Sequence, residues 1–115
     1  MIIRCAFFRG RVKPGCHSHF DAVLDTDLVP LWRQFPGVEE VRLLRPVSTD
    51  AGAPDIHLVL ATRYPDLATM EAALRSPQRE ATRDPTRRLL DLFDGDVFHT
   101  TFDATECRSS TGRDD

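Results

Sequence analysis

The sequence IHLVLATRYPDLATMEAALRSPQRE, residues 56–80, determines most of the predicted fold. Its first part, residues 56–64, is strand-like and is apolar at both sets of alternating positions. A strand with one wet face alternates apolar and polar residues, whereas a strand covered on both faces does not. We therefore expect this strand to lie at the centre of a sheet. Pro65 and Asp66 follow it, with Asp66 as the N-cap of a short helix that ends before Ser76.

The first strand is predicted over residues 2–9, IIRCAFFR, and it is also apolar on both faces. A helix is predicted over residues 17–34, because apolar residues recur there at helical spacing. Pro30 lies within this helix, so we expect a kink or a division. The apolar stripe consists of Phe20, Leu24, Leu28, Leu31 and Phe35.

Two further strands and a second helical region complete the pattern. Residues 38–45 carry more charge than the other strands, which is typical of an edge strand. After Ser76, the chain is predicted to be helical again, with an interruption near Pro85 and an end at Asp94-Gly95. Residues 96–103, DVFHTTFD, form the last predicted strand.

The resulting order, β-α-β-β-α-β, predicts an α+β protein with a ferredoxin-like fold. Right-handed crossovers give an antiparallel sheet of order 4-1-3-2, which places the two doubly apolar strands in the centre. Helices can cover only one face of this sheet. The other face carries roughly half a dozen large apolar side chains, each worth about 1.5–3 kcal/mol when buried. We therefore expect a homodimer in which two such faces pack together, a dimeric α+β barrel.

Composition restricts the class of protein. The chain has 115 residues, of which 41% are hydrophobic, so we expect one domain over residues 1–103. Residues 104–115 offer little to bury and are expected to be a disordered tail. The net charge of −3 argues against nucleic acid as a partner. No signal peptide or membrane-spanning run is evident, and the three cysteines lack a CxxC spacing, so we expect a cytoplasmic protein without membrane association or disulfides.

Several pieces of the sequence resemble one group of the dimeric α+β barrel proteins, the EthD-like proteins. The first piece is Pro30-Leu31, followed by FPGV at residues 35–38. The longest is HLVLATRYPDLATMEAALRSPQREA at residues 57–81, and DLFDG at residues 91–95 is the last. Together these pieces extend the resemblance over roughly residues 1–103.

The resemblance implies a small pocket between helices and sheet in each subunit. Relatives include cofactor-free monooxygenases, isomerases, haem-handling proteins and accessory proteins of ether or aromatic breakdown, so the fold alone does not determine the activity. The family often has a histidine two residues before the proline of its H-x-P-L pattern, and this chain has Leu28 there. No cofactor is evident from the sequence, which leaves the cofactor unknown.

Three residues on predicted strands are candidates for catalysis: His57, His99 and Arg4. An imidazole facing the pocket accepts a proton from a phenol or from a carbon next to a carbonyl, and Arg4 would hold the resulting anion. In the sheet order 4-1-3-2, the strand of Arg4 neighbours the strands of both histidines, and the sequence does not choose between them. The alternative is that both histidines bond to a backbone carbonyl or lie at the dimer interface.

Other chemistry-bearing residues have simpler interpretations. His17 and His19 point to nearly opposite sides of a helix, which argues against a metal site. Cys5 lies among apolar neighbours and is interpreted as unreactive core, while Cys16 has no evident base. Arginines recur every four residues at Arg75, Arg79, Arg83 and Arg87. They suggest either an anion-binding ridge or, because acidic residues are interleaved, a solvated face with ion pairs.

The pocket itself is predicted from the apolar residues of the two helical regions. The predicted lining consists of Phe20, Leu24, Leu28, Leu31, Trp32 and Met70. Such residues are also typical of an ordinary core. The sequence therefore favours a protein that binds a small apolar or aromatic metabolite, with an accessory role in catabolism or biosynthesis. The alternative function is a cofactor-independent monooxygenase or isomerase with a histidine base and an arginine that stabilises an anion.

Overall fold

A computed structural model describes residues 1–110 of the chain. The strands are β1 (Ile2–Val12), β2 (Glu40–Leu44), β3 (Ile56–Tyr64) and β4 (Phe93–Asp103). The α-helices are α1 (His17–Ala22), α2 (Val29–Trp32), α3 (Leu67–Leu74), α4 (Pro77–Ala81) and α5 (Arg83–Leu90). A π-helical segment, Val23–Leu28, joins α1 to α2. Of the predicted tail, residues 111–115 lie outside the described residues.

The strands form one antiparallel sheet of order β2-β3-β1-β4. This order is the predicted 4-1-3-2 written from the other edge, so the ferredoxin-like fold is confirmed. The two doubly apolar strands, β1 and β3, are the central pair. The apolar residues on both faces of β1 and β3 therefore correctly predicted that these strands lie at the centre of the sheet.

The helices cover one face of the sheet only. On that face Phe8, Leu58 and Leu60 are buried against the helices. On the opposite face Phe98 is 38% exposed and Phe102 is 44% exposed. Strand alternation explains the difference, because β1 pairs Phe8 with Val97 but Phe7 with Phe98. The sheet therefore has an outer face whose aromatic residues meet solvent in the single chain.

The first helical region is divided, as Pro30 predicts, but the division has a form that the sequence did not reveal. The π-helical segment ends at Leu28, and Pro30 lies in the first turn of α2. Pro30 has no N–H to donate to the carbonyl four residues earlier, so a regular α-helix cannot continue through it. The wider π-turn keeps both Leu24 and Leu28 fully buried.

Strand β4 begins earlier than predicted, and Asp94-Gly95 lies inside it instead of ending a helix. The reason is a glycine pair, because Gly95 lies opposite Gly10 of β1. Both glycines have positive φ, and a Cβ on Gly10 or Gly95 would collide with the carbonyl oxygen of Asp94 or Arg9, respectively. The pair allows β1 and β4 to approach closely, so they remain paired from Val12–Phe93 to Ile2–Asp103.

Side-chain caps fix the starts of α3 and α4. The Asp66 carboxylate accepts hydrogen bonds from the Thr69 backbone N–H at 2.8 Å and the Thr69 hydroxyl at 2.7 Å. The Ser76 hydroxyl accepts a bond from the Arg79 N–H at 3.2 Å. These caps place α4 so that Arg79 faces the sheet. Within the described residues, no helix is long and apolar enough to cross a membrane.

Candidate functional site

A cavity of about 480 Å³ lies between the sheet and the helices. Its walls are mostly apolar on both sides. The sheet contributes Ala6, Phe8, Leu60 and Val97. The helices and the turn after α2 contribute Leu28, Trp32, Phe35, Leu74, Leu89 and Leu90. This volume suits a small organic molecule.

The polar groups of the cavity are cationic or neutral. They belong to Arg4, Thr62, Tyr64, Arg79, Thr82, Arg83, Thr86 and His99. Among the described residues, no aspartate or glutamate lines the cavity. The cavity therefore combines an apolar wall with a positively charged region.

Strand register brings Arg4 and His99 into this cavity. Arg4 on β1 lies opposite Thr62 on β3 and Thr101 on β4. His99 lies opposite Ala6, two residues along the same face of β1 from Arg4. Since successive residues on one face share a direction, Arg4 and His99 both point towards the helices. The opposite wall is provided by Arg79 of α4, which donates a hydrogen bond from Nη1 to the Leu74 carbonyl at 3.1 Å.

Arg4 and Arg79 lack carboxylate partners among the described residues. Among residues 1–110, three arginines are half-buried, namely Arg4, Arg63 and Arg79. Arg63 is paired with Glu39 at 3.3 Å. The Arg4 guanidinium forms neither a hydrogen bond nor an ion pair with the described residues, and Arg79 bonds only to a carbonyl. Burial and then the nearby Arg79 charge lower the pKa of Arg4.

His99 is held in its neutral form. Burial lowers the pKa of His99, and the positive charges of Arg4 and Arg79 lower it further. Because an unperturbed histidine already titrates near 6.5, His99 is neutral at pH 7 and is able to accept a proton. His99 is exposed to solvent while lining the cavity, which places its side chain at the opening.

Tyr64 presents an unusual hydroxyl group to the same region. Its side chain is fully buried, and the hydroxyl makes no hydrogen bond of ordinary geometry with the described residues, although the Thr62 side chain lies close enough to lower its pKa. Burial raises the pKa of Tyr64, so the phenol stays protonated at neutral pH. A buried hydroxyl without a partner is destabilising.

His57, the second catalytic candidate, lies elsewhere. The β1–β3 register shifts between Phe8 and Arg9, and the resulting bulge directs His57 onto the rings of Phe20 and Phe93. Thr62, the β3 partner of Arg4, is five residues along the strand from His57, or about 17 Å at 3.3–3.4 Å per residue. The expectation that Arg4 neighbours both histidines was therefore correct for His99 only, because adjacency of strands does not determine register.

Two of the six predicted lining residues, Leu28 and Trp32, line the cavity. Phe20, Leu24, Leu31 and Met70 do not belong to its lining. Helical spacing identifies the side of a helix that faces the sheet, but it does not reveal where space remains between them. Leu28 occupies the position at which the family resemblance places a histidine, so in this chain that part of the wall is apolar.

Sequence reasoning missed most of the cavity lining, and two of the missed polar residues are Tyr64 and Arg79. Tyr64 ends β3 with the same parity as Leu58, Leu60 and Thr62, so its position on the helix face was readable. Arg79 belonged to the predicted arginine ridge. The structure divides that ridge, because Arg83 pairs with Glu80 at 3.1 Å and Arg87 pairs with Asp84 at 3.6 Å, whereas Arg79 turns to the cavity.

The other candidates remain outside the cavity. His17 and His19 are exposed, and the described residues contain no group of three or more potential ligands able to hold a metal ion. Cys5 is buried on the outer side of the sheet, and burial raises the pKa of its thiol. A raised pKa disfavours the reactive thiolate, in agreement with the interpretation of Cys5 as unreactive.

Known structures share this fold. An EthD family protein from Bacillus halodurans C-125 is 18% identical, with a TM-score of 0.73 over 91% of this chain and 99% of that one. A DABB family protein with a ferredoxin-like fold from Mesorhizobium loti is 17% identical, with a TM-score of 0.66 over 91% and 98%. A protein from Deinococcus radiodurans assigned as an antibiotic biosynthesis monooxygenase is 20% identical, with a TM-score of 0.65 over 97% and 100%.

These similarities show that the chain shares the ferredoxin-like fold of EthD, DABB and monooxygenase-assigned proteins. The identities are all below 25%, so activity does not follow from them. No protein-family model matches the sequence, and no curated protein matches it significantly. The chemistry of the cavity must therefore carry any functional argument.

Proposed function

We propose that the protein binds a small apolar or aromatic metabolite in the helix–sheet cavity and acts as an accessory protein in catabolism or biosynthesis. The observation that carries the proposal is the cavity itself, about 480 Å³ with largely apolar walls. Trp32 and Phe35 offer ring surfaces at one side of it. Similar folds in EthD, DABB and monooxygenase-assigned proteins are compatible with such a role.

Binding is measurable through Trp32, which is the only tryptophan of the chain and lines the cavity. We expect the fluorescence of Trp32 to change saturably when 2-naphthamide, a neutral aromatic probe, is added. Leu74→Phe places extra bulk in the cavity wall and should weaken binding. Leu67→Phe adds the same bulk on α3 at a residue that is 48% exposed and lies outside the cavity lining, so binding should persist. Equal binding by both variants would refute a ligand in this cavity.

A second candidate function is a cofactor-independent monooxygenase or isomerase, and the pair formed by His99 and Arg4 favours it. Neutral His99 accepts a proton from a phenol or from a carbon next to a carbonyl, and its imidazole becomes an imidazolium. The electron pair left by the proton moves onto oxygen, and Arg4 stabilises the resulting phenolate or enolate. Lowering of the His99 pKa by burial and by two arginines supports its role as the base at pH 7.

Proton abstraction is testable without knowledge of the natural substrate. Benzoylacetone in D₂O exchanges its acidic C–H protons, and proton NMR follows the loss of signal. We expect the protein to accelerate exchange and His99→Ala to reduce the acceleration by about 10² or more. His57→Ala is the matched control, because His57 contacts Phe20 and Phe93 and not the cavity. An unchanged rate in His99→Ala would exclude it as the base.

We also propose that the functional unit is a homodimer formed by the outer faces of two sheets. The outer face carries the stacked rings of Phe7 and Phe98, with centroids 4.9 Å apart, and the partly exposed Phe102. Contiguous exposed aromatic surface of this kind favours an interface. The cavity lies on the opposite side of the sheet, so dimerisation leaves it accessible.

A further inference from the structure

The two half-buried arginines of the cavity have a charge that nothing nearby balances. Arg4 and Arg79 are close enough for the charge of Arg79 to lower the pKa of Arg4. Like charges in a partly dehydrated site repel each other, and a half-buried cation without a counterion is destabilising. Other arginines without carboxylate partners, such as Arg33, Arg45 and Arg75, are exposed and are solvated by water. The pair in the cavity therefore requires a different explanation.

We infer that the ligand of this cavity carries a carboxylate, which lies between the guanidinium groups of Arg4 and Arg79 while the apolar body of the ligand packs towards Trp32. This inference rests on the proposed ligand-binding function and specifies the chemical class of its ligand. A guanidinium matches a carboxylate in shape and donates two parallel hydrogen bonds to it. One carboxylate would also relieve the repulsion between the two arginines.

The hydroxyl of Tyr64 provides an independent observation. Tyr64 lines the cavity with Arg4 and Arg79, and its hydroxyl is buried without a hydrogen bond of ordinary geometry to the described residues. A phenol O–H donates readily to a carboxylate oxygen. The site thus offers two cationic donors and one neutral donor, and no lining residue carries a negative charge that would repel an anion.

Hydrogen bonds at the start of α4 fix the position of Arg79. Arg79 is the third residue of α4, and its N–H is held by the Ser76 cap while Nη1 is held by the Leu74 carbonyl. These bonds direct the guanidinium towards the sheet face that carries Arg4. Arg83, one turn later and also in the lining, is instead paired with Glu80 and is exposed. Arg79 and Arg4 are therefore the two cationic groups that remain available to a ligand.

The test compares two probes of nearly equal shape, 2-naphthoate and 2-naphthamide, by titration of Trp32 fluorescence in the full-length chain. We expect the wild type to prefer the carboxylate by about 10-fold or more, since charge-assisted hydrogen bonds are the stronger ones. Arg4→Met and Arg79→Met should each reduce this preference severalfold, measured as the ratio of the affinities for the two probes within each variant. Arg87→Met, an arginine outside the lining on the neighbouring helix, should keep the preference.

Binding of 2-naphthamide by each variant shows that it is folded and that its cavity is intact. Arg4→Lys provides a second variant that retains the charge, and it should keep part of the preference that Arg4→Met loses. Equal affinity of the wild type for both probes would overturn the carboxylate assignment while leaving the proposed binding function in place. Failure of the wild type to bind either probe would overturn both.

Discussion

At the scale of single residues, His99 connects the charge of the cavity to stability. Its pKa in the folded protein is lowered, first by burial and then by Arg4 and Arg79. Below about pH 6.5 the unfolded chain therefore takes up a proton that the folded chain resists. Stability should fall as the pH decreases from about 7 through the lowered pKa of His99.

The measurement is urea unfolding between pH 7 and pH 5, with His99→Gln beside the wild type. We expect the variant to lose less stability over this range, because a neutral amide takes up no proton. His57 contributes in the same direction, since burial lowers its pKa too, so some pH dependence should remain. His19→Gln, at an exposed position on α1, is the control and should follow the wild type. A steeper pH dependence in His99→Gln would contradict this account.

Replacement of Tyr64 should increase the stability of the ligand-free protein, whereas most substitutions decrease stability. Removing a hydroxyl that lacks a partner should not destabilise the ligand-free protein, and Tyr64→Phe should raise its stability by up to about 1 kcal/mol. The same variant should bind 2-naphthoate more weakly than the wild type does. Thermal unfolding with and without the probe measures both effects. A clear loss of stability without ligand would show that the hydroxyl is already satisfied.

The sequence identified the types of residue at the site better than their positions. Arg4 and His99 were both candidates, and both lie in the cavity. His57 was an equal candidate because strand order alone treats the two histidines alike. The register shift between Phe8 and Arg9 separates them, and such a bulge leaves no clear signal in IHLVLATRY.

At the scale of elements, the start of α3 depends on one side chain. The Asp66 carboxylate accepts bonds from the N–H and hydroxyl groups of Thr69, and these bonds lower its pKa. Asp66→Ala removes the cap, so we expect the melting temperature at pH 7 to fall by a few degrees. Asp50→Ala, in the loop before β3, is the control and should have little effect.

Acidic pH should reduce the difference in melting temperature between the wild type and Asp66→Ala. The lowered pKa of Asp66 means that its contribution is present above the ordinary aspartate pKa and is lost as the pH falls through the lowered value. The gap in melting temperature between the wild type and Asp66→Ala should therefore shrink at acidic pH. A gap that stays constant down to pH 2 would argue against a carboxylate cap.

Element types were predictable from local patterns, whereas several boundaries were not: β1, for example, continues to Val12, beyond its predicted end at Arg9. Asp94-Gly95 has the composition of a helix end, yet Gly95 serves the close pairing of β4 with Gly10. Pro30 predicted the division of the first helical region, but the π-helical turns before it depend on packing of Leu24 and Leu28. In both cases a contact distant in sequence determines the local conformation.

At the scale of the whole molecule, the apolar residues on both faces of β1 and β3 predicted more than their central position. One apolar face is accounted for by the helices, because Phe8, Leu58 and Leu60 are buried there. The other face retains partly exposed Phe98, Phe102 and Leu44. These residues remain without a cover in the single chain, and the packing of a second copy of the chain against them stays a prediction.

The outer face should hold two copies of the chain together in solution. Light scattering at micromolar concentration should give about twice the 13.0 kDa mass of one chain. Phe102→Glu and Phe98→Glu each place a negative charge on the outer face, where two copies of the charge would meet across a two-fold interface. Both variants should shift the mass towards that of a single chain.

Leu67→Glu is the matched control, because Leu67 is an exposed apolar residue on α3, away from the outer face. It should remain dimeric. Since the cavity lies between the sheet and the helices, on the side opposite the outer face, the charged variants that stay folded should still bind 2-naphthamide, which separates loss of pairing from loss of fold. A wild-type protein that is monomeric at micromolar concentration would contradict the proposed homodimer. It would show that the aromatic residues of the outer face remain in water.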